Sequence, residues 1–172
     1  LRVERGQENA SKVAAFLSRH PAVQKLHYAG PIPNPKRSSP IAWEANPMNI
    51  GCDEKAKQVN ISSSHKAHNL HMSMARGGGS VLSFETGNVE FSRRFVDALR
   101  MFKITVSFGS CNSLVEMPCV HSHASIPTGE RTLPEDLVRL SIGIEDVHDV
   151  VEDLERAFRC AASAVPSVRS IS

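Results

Sequence analysis

Long apolar runs are missing from this chain: none nears the roughly 18 residues that a bilayer-spanning helix requires, so no segment reads as a membrane span. An excess of one charge is missing too. With 20 basic and 18 acidic residues the formal net charge is +2, and no basic stripe marks a nucleic-acid or membrane-surface partner. Paired cysteines are also absent. The four cysteines stand at positions 52, 111, 119 and 160, with no C-x-x-C among them, which excludes zinc-ribbon spacing and leaves free thiols as the expectation. The opening Leu1-Arg2-Val3-Glu4-Arg5 starts without Met and has neither a secretory pattern nor a Ser/Arg-rich transit pattern. It reads as a fragment or a processed product.

What remains is an ordinary globular composition, 41% hydrophobic and 22% charged over 172 residues, enough for one domain with a sizeable core. Val3, Ala10, Val13, Ala14 and Leu17 recur at helical spacing, predicting a helix to about Arg19 that His20-Pro21 ends. Ala22 to Tyr28 alternates as a short strand. From Pro31 to about Asn69 five prolines and a serine run dissolve the pattern, and 36–69 reads as an irregular insertion that includes Trp43. Ser80 to Glu85 is a strand, and Asn88 suits the N-cap of a helix carrying Phe91, Phe95 and Ala98, with Phe102 continuing the stripe. Ile104–Phe108 and Leu137–Ile144 are further strands. A final helix presents Val147, Val150, Val151, Leu154, Ala157 and Phe158, with acidic residues at its start, where the helix dipole favours them; a flexible tail, 163–172, follows. The order implies an α+β domain, a four-stranded sheet covered by helices on one side.

Several positions invite a chemical reading. Arg139 interrupts the apolar strand Leu137-Val138-Arg139-Leu140. A guanidinium there must be exposed, paired or kept for a ligand, and its planar fork suits a carboxylate; on pattern alone the exposed or ion-paired arginine is the commoner case. Ser107-Phe108-Gly109-Ser110 ends a strand in a sharp turn able to offer N–H groups and a hydroxyl to an anion, or to be a plain turn. Gly77-Gly78-Gly79-Ser80 lacks the following Lys-Ser/Thr and helix of a phosphate loop. His65, His68 and His71 are spaced for a helical face, but no carboxylate or cysteine nearby completes a metal set. Cys111, Cys119, His121 and His123 match no local catalytic signature, and the sequon Asn60-Ile61-Ser62 reads as chance. Spacing alone yields a soluble α+β domain and no chemistry.

Blocks in a fixed order add more. Arg5-Gly6-Gln7-Glu8-Asn9-Ala10, Gly78-Gly79-Ser80-Val81-Leu82-Ser83-Phe84, Val106-Ser107-Phe108-Gly109-Ser110, Ser113-Leu114 with Pro118, Ser122-His123-Ala124-Ser125-Ile126-Pro127 and Leu137-Val138-Arg139-Leu140-Ser141-Ile142-Gly143-Ile144-Glu145-Asp146 together resemble the Cys/Met-metabolism pyridoxal-phosphate (PLP) enzymes. This trans-sulfuration family contains carbon–sulfur lyases and synthases, and Ile104–Ser110 and Met117-Pro118-Cys119 look most like its plant-type beta-lyases. The resemblance covers residues 1 to about 35 and 70 to about 160, and 36–69 has no evident counterpart. It implies the small C-terminal domain of fold type I, with 1–19 as the helix joining it to a large PLP-binding domain. It implies that Arg139 binds the substrate α-carboxylate, that Ser107 lies beside the cofactor-bearing lysine, and that Asn112, where many relatives have glutamate, borders the substrate.

Further expectations follow from the resemblance alone. PLP and its Schiff-base lysine belong to the absent large domain, so this chain holds no catalytic or cofactor-binding residue and is inactive alone. The substrate is an amino acid such as L-cystathionine, whole family members are homotetramers, and the plant-type likeness implies a plastid. A synthase or gamma-lyase of the family is the alternative, and so, from another class, is a non-catalytic module capping a full-length relative.

Overall fold

A computed structural model describes residues 1–32, 60–61, 65–121 and 132–163. Helix α1 (Arg2–Leu17) is followed by strands β1 (Lys25–His27) and β2 (Asn60–Ile61), helix α2 (His65–Met74) and strand β3 (Val81–Glu85). Helix α3 (Val89–Ala98), strands β4 (Lys103–Ile104), β5 (Leu114–Glu116) and β6 (Val138–Ser141), and helix α4 (Val147–Ser163) complete the order. The sheet runs β2-β1-β3-β6-β5-β4. Its two outer pairs, β1–β2 and β4–β5, are parallel and its three inner pairs antiparallel. The α+β class holds, but among the described residues the sheet has six strands, not the four expected.

Strand side chains alternate between faces, so the register sorts them. Leu26, Phe84 and Val138 form one cross-strand row, and Leu82, Leu140 and Val115 the next. Both rows belong to the core cluster together with Val13, Leu17, Phe95, Val150, Leu154 and Phe158 from the helices. Phe84 meets Phe95 edge to face at 5.4 Å, and Phe95 lies 4.3 Å from Phe158, each such pair adding about 1 kcal/mol beyond its buried area. The helical stripes read from the sequence are these buried faces. Asn88 caps α3 as expected, its side chain accepting from the Phe91 N–H at 2.9 Å.

Four expectations need correction. Residues 36–69 are not wholly irregular, because β2 and the start of α2 lie within them; β2 gains order by pairing with β1, which no local pattern reveals. The strand expected over Ile104–Phe108 stops at Ile104, and Val106 and Phe108 are exposed, so their alternation is that of a loop. Leu137–Ile144 contracts to Val138–Ser141. Strand β5 was missed: it is three residues long, is buried throughout, and shows no alternation to detect. Trp43, Cys52, Ser122–Pro127 and the tail beyond Ser163 lie outside the described residues.

The Arg5–Ala10 block now has a physical reason. A Cβ on Gly6 would come within 3.3 Å of the Ile142 carbonyl and of Ser80, so α1 sits close against the strand ends. Gln7 Oε1 accepts the Gly79 N–H at 3.0 Å. Buried Asn9 donates from Nδ2 to the carbonyls of Gly143 (3.1 Å) and Glu145 (2.8 Å). Helix α1 is thereby fixed to the same β6 end that carries the loop described next. Tyr28, 4% exposed, donates to the Gly79 carbonyl at 3.3 Å, and burial pushes its phenol up to about 12.

Candidate substrate-carboxylate site

The face of the sheet opposite the helices carries the polar row His27, Ser83, Arg139, Glu116 across β1, β3, β6 and β5. Arg139 projects there because its neighbours Val138 and Leu140 are committed to the core. Its Nη1 lies 2.8 Å from Glu116 Oε1, and its Nη2 donates to the carbonyls of Val106 at 2.8 Å and Ser107 at 3.2 Å. Phe108 places its ring 5.7 Å from the guanidinium carbon, within reach of a cation–π attraction. The arginine side chain is 23% exposed and Glu116 0%. Arg139 and the serine turn, singled out separately in the sequence, are therefore in direct contact.

Glu116 was not singled out. Neither of its oxygens has an aligned hydrogen-bond donor among the described residues, although Oε1 closely approaches Arg139. The close distance and the missing hydrogen bond are compatible: the approach is close but off-axis, so charge rather than hydrogen bonding holds this carboxylate. A signal did exist. Leu114-Val115-Glu116-Met117 and Leu137-Val138-Arg139-Leu140 place opposite charges at matching positions in two apolar strings, but only the β5–β6 register shows that they face each other.

The loop from Thr105 to Ser113 is tied to β6 at several points. Gly109, at φ 74, donates its N–H to Ser141 Oγ at 3.0 Å, and Ile144 N donates to the Cys111 carbonyl at 2.9 Å. The Gly109 N–H is thus not free for an anion, a correction to the turn as first read. Glu145 accepts from Ser113 N at 2.6 Å and Ser113 Oγ at 3.0 Å, and Ser113 Oγ accepts the Gly143 N–H at 3.0 Å. These ties hold Ser107 and Asn112, both exposed, on one loop, of which the Ser107 carbonyl reaches Arg139. The Asn112 N–H donates to Ser110 Oγ at 3.2 Å. On the flank, Glu85 Oε1 meets His27 Nε2 at 2.7 Å and Lys25 Nζ at 3.3 Å.

The other candidates have structural partners. His68 Nδ1 contacts the Ala29 carbonyl at 2.9 Å and His71 Nε2 the Gly77 carbonyl at 2.8 Å, and no group able to hold a metal occurs among the described residues. The His65 side chain and His123 lie outside them. Cys119 is buried with Sγ at 3.5 Å from the carbonyls of Leu133 and Pro134, and His121 Nδ1 accepts the Met117 N–H at 3.0 Å, so the two do not form a thiol–base pair. No helix among the described residues is long and apolar enough to cross a membrane.

The described residues thus form a small mixed sheet with helices on one face and an arginine clamped beside a serine turn on the other. The chain belongs to the Cys/Met metabolism PLP-dependent enzyme family, whose sequence profile matches residues 52–159. That match begins inside the segment that had shown no counterpart, so 52–69 is family sequence. The chain is 44% identical over 162 residues to the chloroplastic cystathionine beta-lyase of Arabidopsis thaliana, covering 92% of this chain and 28% of that protein. It is 40% identical over 171 residues to the cystathionine beta-lyase of Neurospora crassa, covering 98% and 30%. Among solved structures it superposes on cystathionine gamma synthase of Xanthomonas oryzae pv. oryzae in complex with cystathionine, with TM-score 0.72 and 27% identity over 95% of this chain and 35% of that one. The chain spans less than a third of the length of these curated relatives.

PLP is the cofactor of this family, and the described residues do not form a site for it. Lys25 is paired with Glu85, Lys103 is exposed on β4, and the Gly79 N–H is given to Gln7. The groups gathered around Arg139 are acceptors, the Glu116 carboxylate and the carbonyls of Val106 and Ser107, and they hold a cation rather than a phosphate.

Proposed function

We propose that this chain is the C-terminal, substrate-gripping part of a PLP-dependent carbon–sulfur lyase, a cystathionine beta-lyase. The complete enzyme converts L-cystathionine and water to homocysteine, pyruvate and ammonia. The supporting observation is the Arg139 guanidinium, anchored to the Ser107 turn on the sheet face opposite the core. Arg139 takes the α-carboxylate; Ser107 and Asn112, on the loop that reaches it, border the rest of the amino acid. The lysine that carries the cofactor comes from the portion of the relatives outside this chain, as do the phosphate-binding groups. The chain alone is inactive on this reading, and helix α1 is the connection to the large domain. A homotetramer and a chloroplast location complete the proposal; the latter follows the compartment named for the Arabidopsis thaliana relative.

The test joins the chain to the N-terminal portion of the Arabidopsis thaliana relative and measures thiol and pyruvate release from cystathionine. The joined enzyme turns over, the chain with added PLP releases nothing, and Arg139→Lys lowers kcat/KM about 100-fold, since losing charged hydrogen bonds costs ~3 kcal/mol. Turnover by the chain alone, or an Arg139→Lys enzyme as active as its parent, refutes the reading. Formation rather than cleavage of cystathionine assigns the joined enzyme to the family's synthases.

A further inference from the structure

We infer that Glu116 is the positioning residue of the Arg139 grip: a buried carboxylate that fixes the guanidinium from beneath and is retained for aim, not for stability. The inference rests on the carboxylate-binding role proposed for Arg139. Glu116 is directly opposite Arg139 in the β5–β6 register, is 0% exposed, and approaches Nη1 at 2.8 Å. Both its oxygens lack an aligned hydrogen-bond donor among the described residues. A carboxylate so poorly satisfied is a poor stabiliser, because desolvating it offsets most of its attraction to the arginine. A leucine of similar volume would have Leu114, also buried, as its neighbour on the same face of β5.

Its effect on Arg139 is different in kind. The arginine head is held on two sides, by Glu116 at Nη1 and by the Val106 and Ser107 carbonyls at Nη2. The second hold comes from a loop, the first from a sheet strand, β5. Sheet-borne groups fix geometry more closely than loop-borne ones. Without Glu116 the long, flexible arginine would swing with the loop, and its fork would meet a carboxylate in several orientations. Few of these leave the substrate aligned for reaction, where a displacement of about 1 Å can cost 100-fold.

Two measurements test this with the variants Glu116→Leu, Glu116→Gln and Arg139→Lys. In the full chain, nitrogen NMR of the Arg139 guanidinium reads rotation about its Cζ–Nη bonds. Separate Nη signals in the parent that merge in both Glu116 variants support the inference, and unchanged signals overturn it. In the joined enzyme, Glu116→Leu keeps the melting temperature at or above the parent's, keeps the cofactor absorbance without substrate, and lowers kcat/KM at least tenfold. Glu116→Gln carries the same kinetic test should the leucine variant not fold. A Glu116 variant within twofold of the parent, alongside an impaired Arg139→Lys, sinks this inference alone. An unimpaired Arg139→Lys sinks the carboxylate grip itself.

Discussion

Removing Arg139 while leaving Glu116 in place strands a carboxylate in the sheet. The pair lies 2.8 Å apart, with Glu116 wholly buried and no donor aligned on it among the described residues. Breaking such a pair from one side costs about 3–5 kcal/mol, because the remaining charge keeps its desolvation penalty and loses its partner. Arg139→Leu therefore loses that much in urea or guanidinium unfolding at neutral pH. For a domain of this size the melting temperature falls by roughly 6–20 °C, at about 2–4 °C per kcal/mol. The double variant Arg139→Leu/Glu116→Leu removes both charges and recovers most of the loss, leaving a coupling of about 2–4 kcal/mol between the two positions. Part of the arginine is exposed, which places the cost toward the lower end. If Arg139→Leu loses under 1 kcal/mol, or the two substitutions simply add, Glu116 is not a buried charge dependent on Arg139 and the site as described is wrong.

Two further outcomes follow from the packing. Tyr28 is the sequence's single tyrosine, so the ultraviolet band of ionised tyrosine reports it alone. Burial raises its folded pKa to about 12 from 10.0, so its contribution is intact below pH 10, and is lost as pH climbs from there to 12. About 2–3 kcal/mol of stability goes with it; a titration centred at 10 in a still-folded chain contradicts the burial. Gly143→Ala places a Cβ against the Cys111 carbonyl, the Glu145 side chain and the Asn112 backbone. The collision costs about 1–3 kcal/mol and pushes the Ser107–Asn112 loop from Arg139, so in the joined enzyme KM for cystathionine rises; unchanged stability and KM would show that the loop has more room than described.

Much of this protein was open to reading before any coordinates. The final helix, the Asn88 cap, the β3 strand and the core positions all declare themselves by period and local chemistry, since each depends on neighbours within a few residues in the chain. Arg139 stood out for the same reason, as a charge in an apolar string. Local pattern also misled. Val106 and Phe108 alternate as a strand does, yet the chain leaves the sheet at Ile104 to form the loop whose carbonyls hold the arginine.

What the sequence determined alone was which segments are apolar enough to be buried, where several helices begin, and which residue types are unusual for their setting. What tertiary structure decided was partnership. The two short strands β2 and β5 exist because longer-range pairing satisfies their backbones. Gln7 and Asn9 matter because α1 returns to the ends of β3 and β6. Glu116 becomes part of the site because the antiparallel register sets it opposite Arg139, 23 positions along the chain (139 − 116). Such pairings are contacts between residues far apart in sequence, and no local propensity encodes which of two matching strings lies beside which.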